Sequence, residues 1–153
     1  MKKETIVLGL GNPLMADEGI GIKLVKLLIS ACGENARADF VDAGTGGMTL
    51  LTYIANRKKA VIIDCALMNT KPGTIKRFTP DQVKTVKELA HLSLHEIDIL
   101  KVIELSKQLG ECPEQIVFFG IEPEIIEQKN GLSEVLTKKL DDYIEVISKE
   151  LVA

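Results

Sequence analysis

Three side chains of this chain stand where a reaction could use them: Glu18, Asp64 and His95. Glu18 follows a short β-rich run, Thr5-Ile6-Val7-Leu8-Gly9-Leu10, that is stopped by Gly11-Asn12-Pro13, and it falls at or near the start of a first helix. Asp64 terminates the unbroken apolar run Ala60-Val61-Ile62-Ile63. His95 lies in Ser93-Leu94-His95-Glu96, a capping box with Ser93 as N-cap and Glu96 as its reciprocal partner. That spacing puts the imidazole in a first helical turn, where the positive end of the helix dipole disfavours imidazolium and leaves the neutral, metal-binding form. Two carboxylates and a neutral imidazole make a mixed oxygen and nitrogen set that suits a borderline divalent metal such as zinc or nickel. Either carboxylate could instead serve as general base toward a metal-polarised carbonyl or bound water.

Each residue also has a plainer reading. Asp17 and Glu18 could cap and complement the first helix, and Asp17 is assigned that structural part. An acid ending a buried strand can simply cap the following turn, and a histidine can merely decorate a helix start. His91, four residues before His95, falls outside the helix that Ser93 would cap, so it is assigned to the surface rather than to an HxxxH metal pair. Met15, Met48 and Met68 are expected in or near the core, and Cys32, Cys65 and Cys112, too far apart for a CxxC pair, are expected as small buried hydrophobes.

The elements that must position these residues alternate between strand-like and helix-like patterns from end to end, the signature of an α/β layer fold. After the first strand, Ile20, Leu24, Leu27 and Leu28 mark an amphipathic helix from about Asp17 to Ala31. Phe40-Val41 enters a turn at Asp42-Ala43-Gly44, and Met48, Leu51 and Ile54 suggest a short second helix. The run at 60–63 is apolar throughout, as a strand buried on both faces requires. Thr74 to Phe78 alternates, which predicts an edge or half-exposed strand introduced by the Lys71-Pro72-Gly73 turn. A helix is expected from His95 to Leu109, a buried strand from Gln115 to Ile121, and one long amphipathic helix from Ser133 to Val152. The sum is one three-layer domain over residues 1–153, a mostly parallel twisted sheet of about five strands with helices on both faces, of the phosphorylase/hydrolase-like kind. In such sheets ligands bind beyond the carboxyl ends of the strands. If the strands leading to Glu18 and Asp64 are neighbours, their axes lie about 4.8 Å apart and both carboxylates can face one site.

Composition narrows the function. The 153 residues are 46% hydrophobic and 27% charged, enough to bury an ordinary core. No apolar run approaches the ~20 residues that would span a bilayer, and the opening Met1-Lys2-Lys3-Glu4 leads into an apolar stretch too short for a secretory signal, so the expectation is a cytoplasmic protein with no membrane role. A net charge of −3 without a concentrated basic block gives nucleic acid no electrostatic footprint. Gly9-Leu10-Gly11 lacks the third glycine of a dinucleotide fingerprint, and no HExxH helix is present.

The stretch Val7-Leu8-Gly9-Leu10-Gly11-Asn12-Pro13-Leu14-Met15-Ala16-Asp17-Glu18-Gly19-Ile20-Gly21 resembles the N-terminal signature of the nickel–iron hydrogenase maturation endopeptidases. The resemblance continues through Asp42-Ala43-Gly44-Thr45-Gly46-Gly47-Met48, where the family often has Gly in place of Ala43, then Ile62-Ile63-Asp64-Cys65-Ala66, Ser93-Leu94-His95, and Phe119-Gly120-Ile121-Glu122-Pro123. It implies that Glu18, Asp64 and His95 are both metal ligands and catalytic residues. It implies further that the partner is the precursor of a hydrogenase large subunit, whose own nickel serves for recognition while zinc or cadmium can substitute in vitro. The activity it implies is removal of the precursor's C-terminal extension by a monomer or weak oligomer. Peptidyl-tRNA hydrolases share the Gly-Leu-Gly-Asn-Pro opening, but this chain departs from them at Leu14-Met15-Ala16-Asp17-Glu18. A nickel-binding assembly chaperone that cuts nothing would use the same three ligands.

Overall fold

The apolar run at 60–63 forms the centre of strand β3 (Lys59–Cys65), which is buried along its whole length, as a strand covered on both faces must be. The computed structural model describes residues 2–33, 36–83 and 94–152, with the backbone alone for 94–98. Around β3 lie β1 (Thr5–Gly9), β2 (Ala38–Asp42), β4 (Ile75–Phe78) and β5 (Gln115–Ile121), in the order β2-β1-β3-β5-β4. Every pairing is parallel except that of β4, which runs antiparallel to β5 at the sheet edge. Its two central residues, Lys76 and Arg77, are both exposed although successive strand residues point to opposite faces, so the strand lies at the edge as expected but does not alternate in burial.

Strand parity sorts the core into two layers. Val7, Val61, Ile63, Val117 and Phe119 pack against α1 (Ile20–Cys32), α4 (Glu134–Lys138) and α5 (Leu140–Val152) through Leu24, Leu28, Leu136, Tyr143 and Ile147. Ile6, Leu8, Ile62, Ile116 and Phe118 pack on the other face against α2 (Thr49–Ile54) and α3 (Leu94–Gln108). The three-layer α/β expectation is met. At the amino edge of β3, the Lys59 ammonium donates to Glu150 on α5 at 2.7 Å. The Arg77 guanidinium reaches the same carboxylate, and it, with Lys59 second among the cations, holds the Glu150 carboxyl below its ordinary range. Among the described residues no helix is long and apolar enough to cross a membrane.

Four details differ from the sequence reading. The expected first helix opens instead as a 3-10 turn, Ala16–Gly19, before α1 proper. The long C-terminal helix is two helices, α4 and α5, parted at Lys139. Met48 is 61% exposed rather than in the core, because α2 turns Leu50 and Ile54 inward. Of the cysteines Cys65 is buried and Cys112 half-buried, but Cys32 is exposed at the last residue of α1.

Candidate active site

The chain leaves β1 through α1 on one face to reach β2, then returns through α2 on the opposite face to reach β3. The boundary between β1 and β3 is therefore the topological switch point, where the loops diverge and a crevice opens at the carboxyl ends of the strands. Glu18 lies on the loop side of β1, and Asp64 is the sixth residue of β3. Gly9 is registered beside Ile63, so the β1 exit loop begins next to Asp64.

Glycines bring the Glu18 turn down onto that crevice. Leu10 donates its N–H to the Ile63 carbonyl at 2.9 Å, extending the β1–β3 pairing by one bond. A Cβ on Gly21 would stand 2.3 Å from the Ile63 carbonyl oxygen and 2.4 Å from that of Leu10. Gly11 has φ +138°, and a Cβ there would meet the Glu18 carbonyl oxygen at 1.9 Å. Both positions must lack a side chain for backbone to pass over backbone. The 3-10 turn consequently packs on β3.

Asp17 locks the turn from behind. It is fully buried, and its carboxylate accepts three backbone N–H groups from the segment after β5: Glu124 and Ile125 at 2.9 Å, and Ser133 at 2.7 Å. The Asp17 N–H donates to the Ile125 carbonyl, and Ala16, held at φ +51°, donates to that of Lys129. Asp17 is structural, as expected, but as a long-range staple and not as a helix cap. Its charge also helps push the Tyr143 phenol up to about 12, though burial is the larger cause. In Asp17→Asn one carboxylate oxygen becomes an NH2 group, which cannot accept, and at least one buried N–H loses its partner. The expected cost is about 2–3 kcal/mol, or a melting temperature lower by roughly 4–12 °C, measured by thermal unfolding.

Asp64 is 4% exposed, and its Oδ1 accepts the N–H of Cys65 at 2.8 Å. By parity it belongs with Ala60 and Ile62 on the α2/α3 face. His95 is the second residue of α3, which leads to β5 at the amino edge, where Gln115 donates to Lys58. A helix of 15 residues spans roughly 22 Å, about the length of a seven-residue strand. The backbone of α3 thus carries its first turn back to the carboxyl edge, on the face to which Asp64 belongs. The His95 side chain, the Ser93 cap and His91 lie outside the described residues. Among the described residues no three His, Cys, Asp or Glu side chains cluster as metal ligands.

Glu122 falls within the motif Phe119-Gly120-Ile121-Glu122-Pro123, where the sequence alone assigned it no role. It is 6% exposed, and its Oε1 accepts from the Met68 N–H at 2.7 Å, the Thr70 N–H at 3.1 Å and the Thr70 hydroxyl at 2.9 Å. It fixes the loop that leaves β3 just beyond Asp64. The only sequence signal for Asp17 and Glu122 was an acid beside a strand exit; their partners are 107–116 and 52–54 residues distant.

The family model for hydrogenase maturation proteases matches residues 22–150. The chain belongs to this family. Hydrogenase maturation proteases are endopeptidases. The hydrogenase 2 maturation protease of Escherichia coli K12 is 30% identical over 144 residues, covering 93% of this chain and 87% of that one. The hydrogenase expression/formation protein HupD of Thiocapsa roseopersicina is 28% identical over 95% of this chain and 68% of its own length. Among solved structures, the hydrogenase maturating endopeptidase HybD from E. coli superposes with a TM-score of 0.86 at 28% identity, covering 99% of this chain and 92% of that chain. At Ala43, where the resemblance to the family implied a glycine, the backbone needs none. The structure accommodates the change, because positive φ falls at Gly44, Gly46 and Gly47 and not at residue 43.

Proposed function

We propose that this protein removes the C-terminal extension from a nickel-loaded hydrogenase large-subunit precursor, with Glu18, Asp64 and His95 holding the substrate's nickel at the carboxyl edge of the sheet. The observation that carries this reading is the seating of the Glu18 turn on β3, the strand of Asp64, at the switch point of a hydrogenase maturation protease fold. Peptide hydrolysis needs a polarised carbonyl, an activated water and a proton for the leaving amine. The substrate's nickel supplies the first as a Lewis acid. Glu18 and Asp64 are the groups able to take a proton from water and pass it to the leaving amine. A half-buried Glu18 and a nearly buried Asp64 divide those parts unequally, with Asp64 the more firmly oriented ligand.

The rim of this edge suits a protein substrate. The loops after β1, β2, β3 and β5 each expose one large apolar side chain: Leu14 and Met48 at 61%, Leu67 and Ile126 at 44%. Apolar groups gathered on one edge mark an interaction surface.

The test is incubation of the protein with nickel-loaded and nickel-free precursor, followed by mass spectrometry of the extension. The loaded form is expected to be cut and the nickel-free form to remain whole at any enzyme concentration. Cleavage of the nickel-free precursor at a similar rate would overturn the part given to the substrate's metal. Stable binding of the loaded precursor without cleavage would identify a nickel-binding chaperone instead.

A further inference from the structure

Beside the Glu18 turn, on its other side, lies a cavity of about 390 Å³. Its walls come from that turn (Ala16 and Gly19), from α1 (Lys23 and Lys26) and from the end of the loop after β5 (Gly131 and Leu132). In a 3-10 turn residues three apart eclipse one another, so Ala16 and Gly19 share the face that lines the cavity, and Glu18 is not part of that lining. Asp17 stitches the two walls together through its bonds to Glu124, Ile125 and Ser133, so the cavity is already formed in the free protein. Apart from Lys23 and Lys26 the lining carries no charge. The two lysines stand three residues apart on one helix face, both are exposed, and neither is ion-paired among the described residues.

We propose that this cavity receives an acidic side chain of the substrate's C-terminal extension, at about the third or fourth residue beyond the scissile bond. The inference rests on the endopeptidase reading above. An apolar pocket rimmed by two ammonium groups favours a ligand that carries a carboxylate, and a carboxylate accepts charge-assisted hydrogen bonds from both lysines. The extension is the occupant because the reading above leaves the nickel-bearing body of the precursor before the scissile bond and only the extension beyond it. A helical turn with its side chains is about 10 Å wide. An extended chain advances about 3.3 Å per residue, so three or four residues carry it from Glu18 across the turn to Lys23 and Lys26. The cavity would thus act on specificity, drawing the scissile bond over the crevice.

The test uses the full-length protein, its Lys23→Gln/Lys26→Gln variant, and a fluorescent synthetic peptide spanning the scissile bond and extension of the precursor used for cleavage. Both substituted residues are exposed, and unchanged thermal unfolding will show that the fold is intact. Anisotropy should report a dissociation constant raised about tenfold in the variant. Added salt should weaken the wild-type complex but barely affect the variant's. A peptide whose early acidic residues are replaced by their amides should bind both proteins equally weakly. With nickel-loaded precursor the variant should show KM raised about tenfold and kcat within about twofold, the signature of lost ground-state binding. Equal binding of the acidic peptide by both proteins overturns the proposal, as does a variant that binds the amide peptide about tenfold more weakly than wild type does. Lysine-dependent peptide binding without any cleavage by wild type would leave the docking site standing and sink the peptidase reading; cleavage indifferent to both lysines would do the reverse.

Discussion

Asp64→Asn is expected to keep the fold while losing cleavage of nickel-loaded precursor by about 10³-fold or more. The substitution changes almost no volume at a site that is 4% exposed. Its side-chain carbonyl can still accept the Cys65 N–H that Oδ1 accepts at 2.8 Å. Destabilisation should therefore stay near 1 kcal/mol, a melting temperature lower by roughly 2–4 °C. What disappears is the negative charge, and with it a good ligand for a divalent metal and a competent base. Glu18→Gln should move activity in the same direction, since its carboxylate is also given to the metal. The measurement is a time course of extension loss by mass, paired with a thermal melt of each variant. Cleavage by Asp64→Asn within tenfold of wild type would remove Asp64 from the proposed site.

The sequence made the central strands legible because burial on both faces leaves a short, turn-bounded run of β-branched and aromatic residues such as Ala60 to Ile63 or Ile116 to Ile121. Glu18 and Asp64 were legible for a related reason: each is a charged residue at the exit of such a run, and parallel strands send all their exits to one edge. The break at Lys139 was not legible. Val135, Leu136, Leu140, Tyr143, Ile144 and Ile147 keep helical period straight across it, with no glycine or proline to mark a stop. The 3-10 opening of α1 was hidden differently, because the partners of Asp17 are Glu124, Ile125 and Ser133, which no local pattern connects to it. Met48 was misplaced because an apolar residue at helical spacing was assigned inward, whereas a six-residue helix has room to bury only Leu50 and Ile54. Local spacing set His95 on a helix start, and the backbone of α3 agrees.

The largest stability effect is expected from Gly21→Ala. On an open helix face alanine would stabilise by about 1 kcal/mol relative to glycine, and here the sign should reverse. The new methyl group would lie 2.3 Å from the Ile63 carbonyl oxygen and 2.4 Å from that of Leu10. Both are backbone atoms of the β1–β3 seam, where Leu10 also donates to Ile63 at 2.9 Å, so no rotamer change can relieve the contact. The first turn of α1 must then lift from the sheet, loosening Ile20, Leu24, Val25 and Leu28, none of which has any exposed surface. The expected cost is about 3 kcal/mol or more, a melting temperature lower by roughly 6–12 °C. Because the Glu18 turn runs directly into α1, cleavage should also fall, by about 10²-fold for a displacement near 1 Å, at temperatures where the variant is still folded. Gly110→Ala supplies the comparison. That residue follows α3 with φ +71° and open space around its Cβ, and its N–H donates to Lys107 while that of Glu111 donates to Ser106, the pattern of a left-handed helix end, so it should lose only about 1 kcal/mol to left-handed strain and cut normally. A Gly21→Ala protein as stable as Gly110→Ala and equally active would show that close approach of α1 to the β1–β3 seam does not position Glu18.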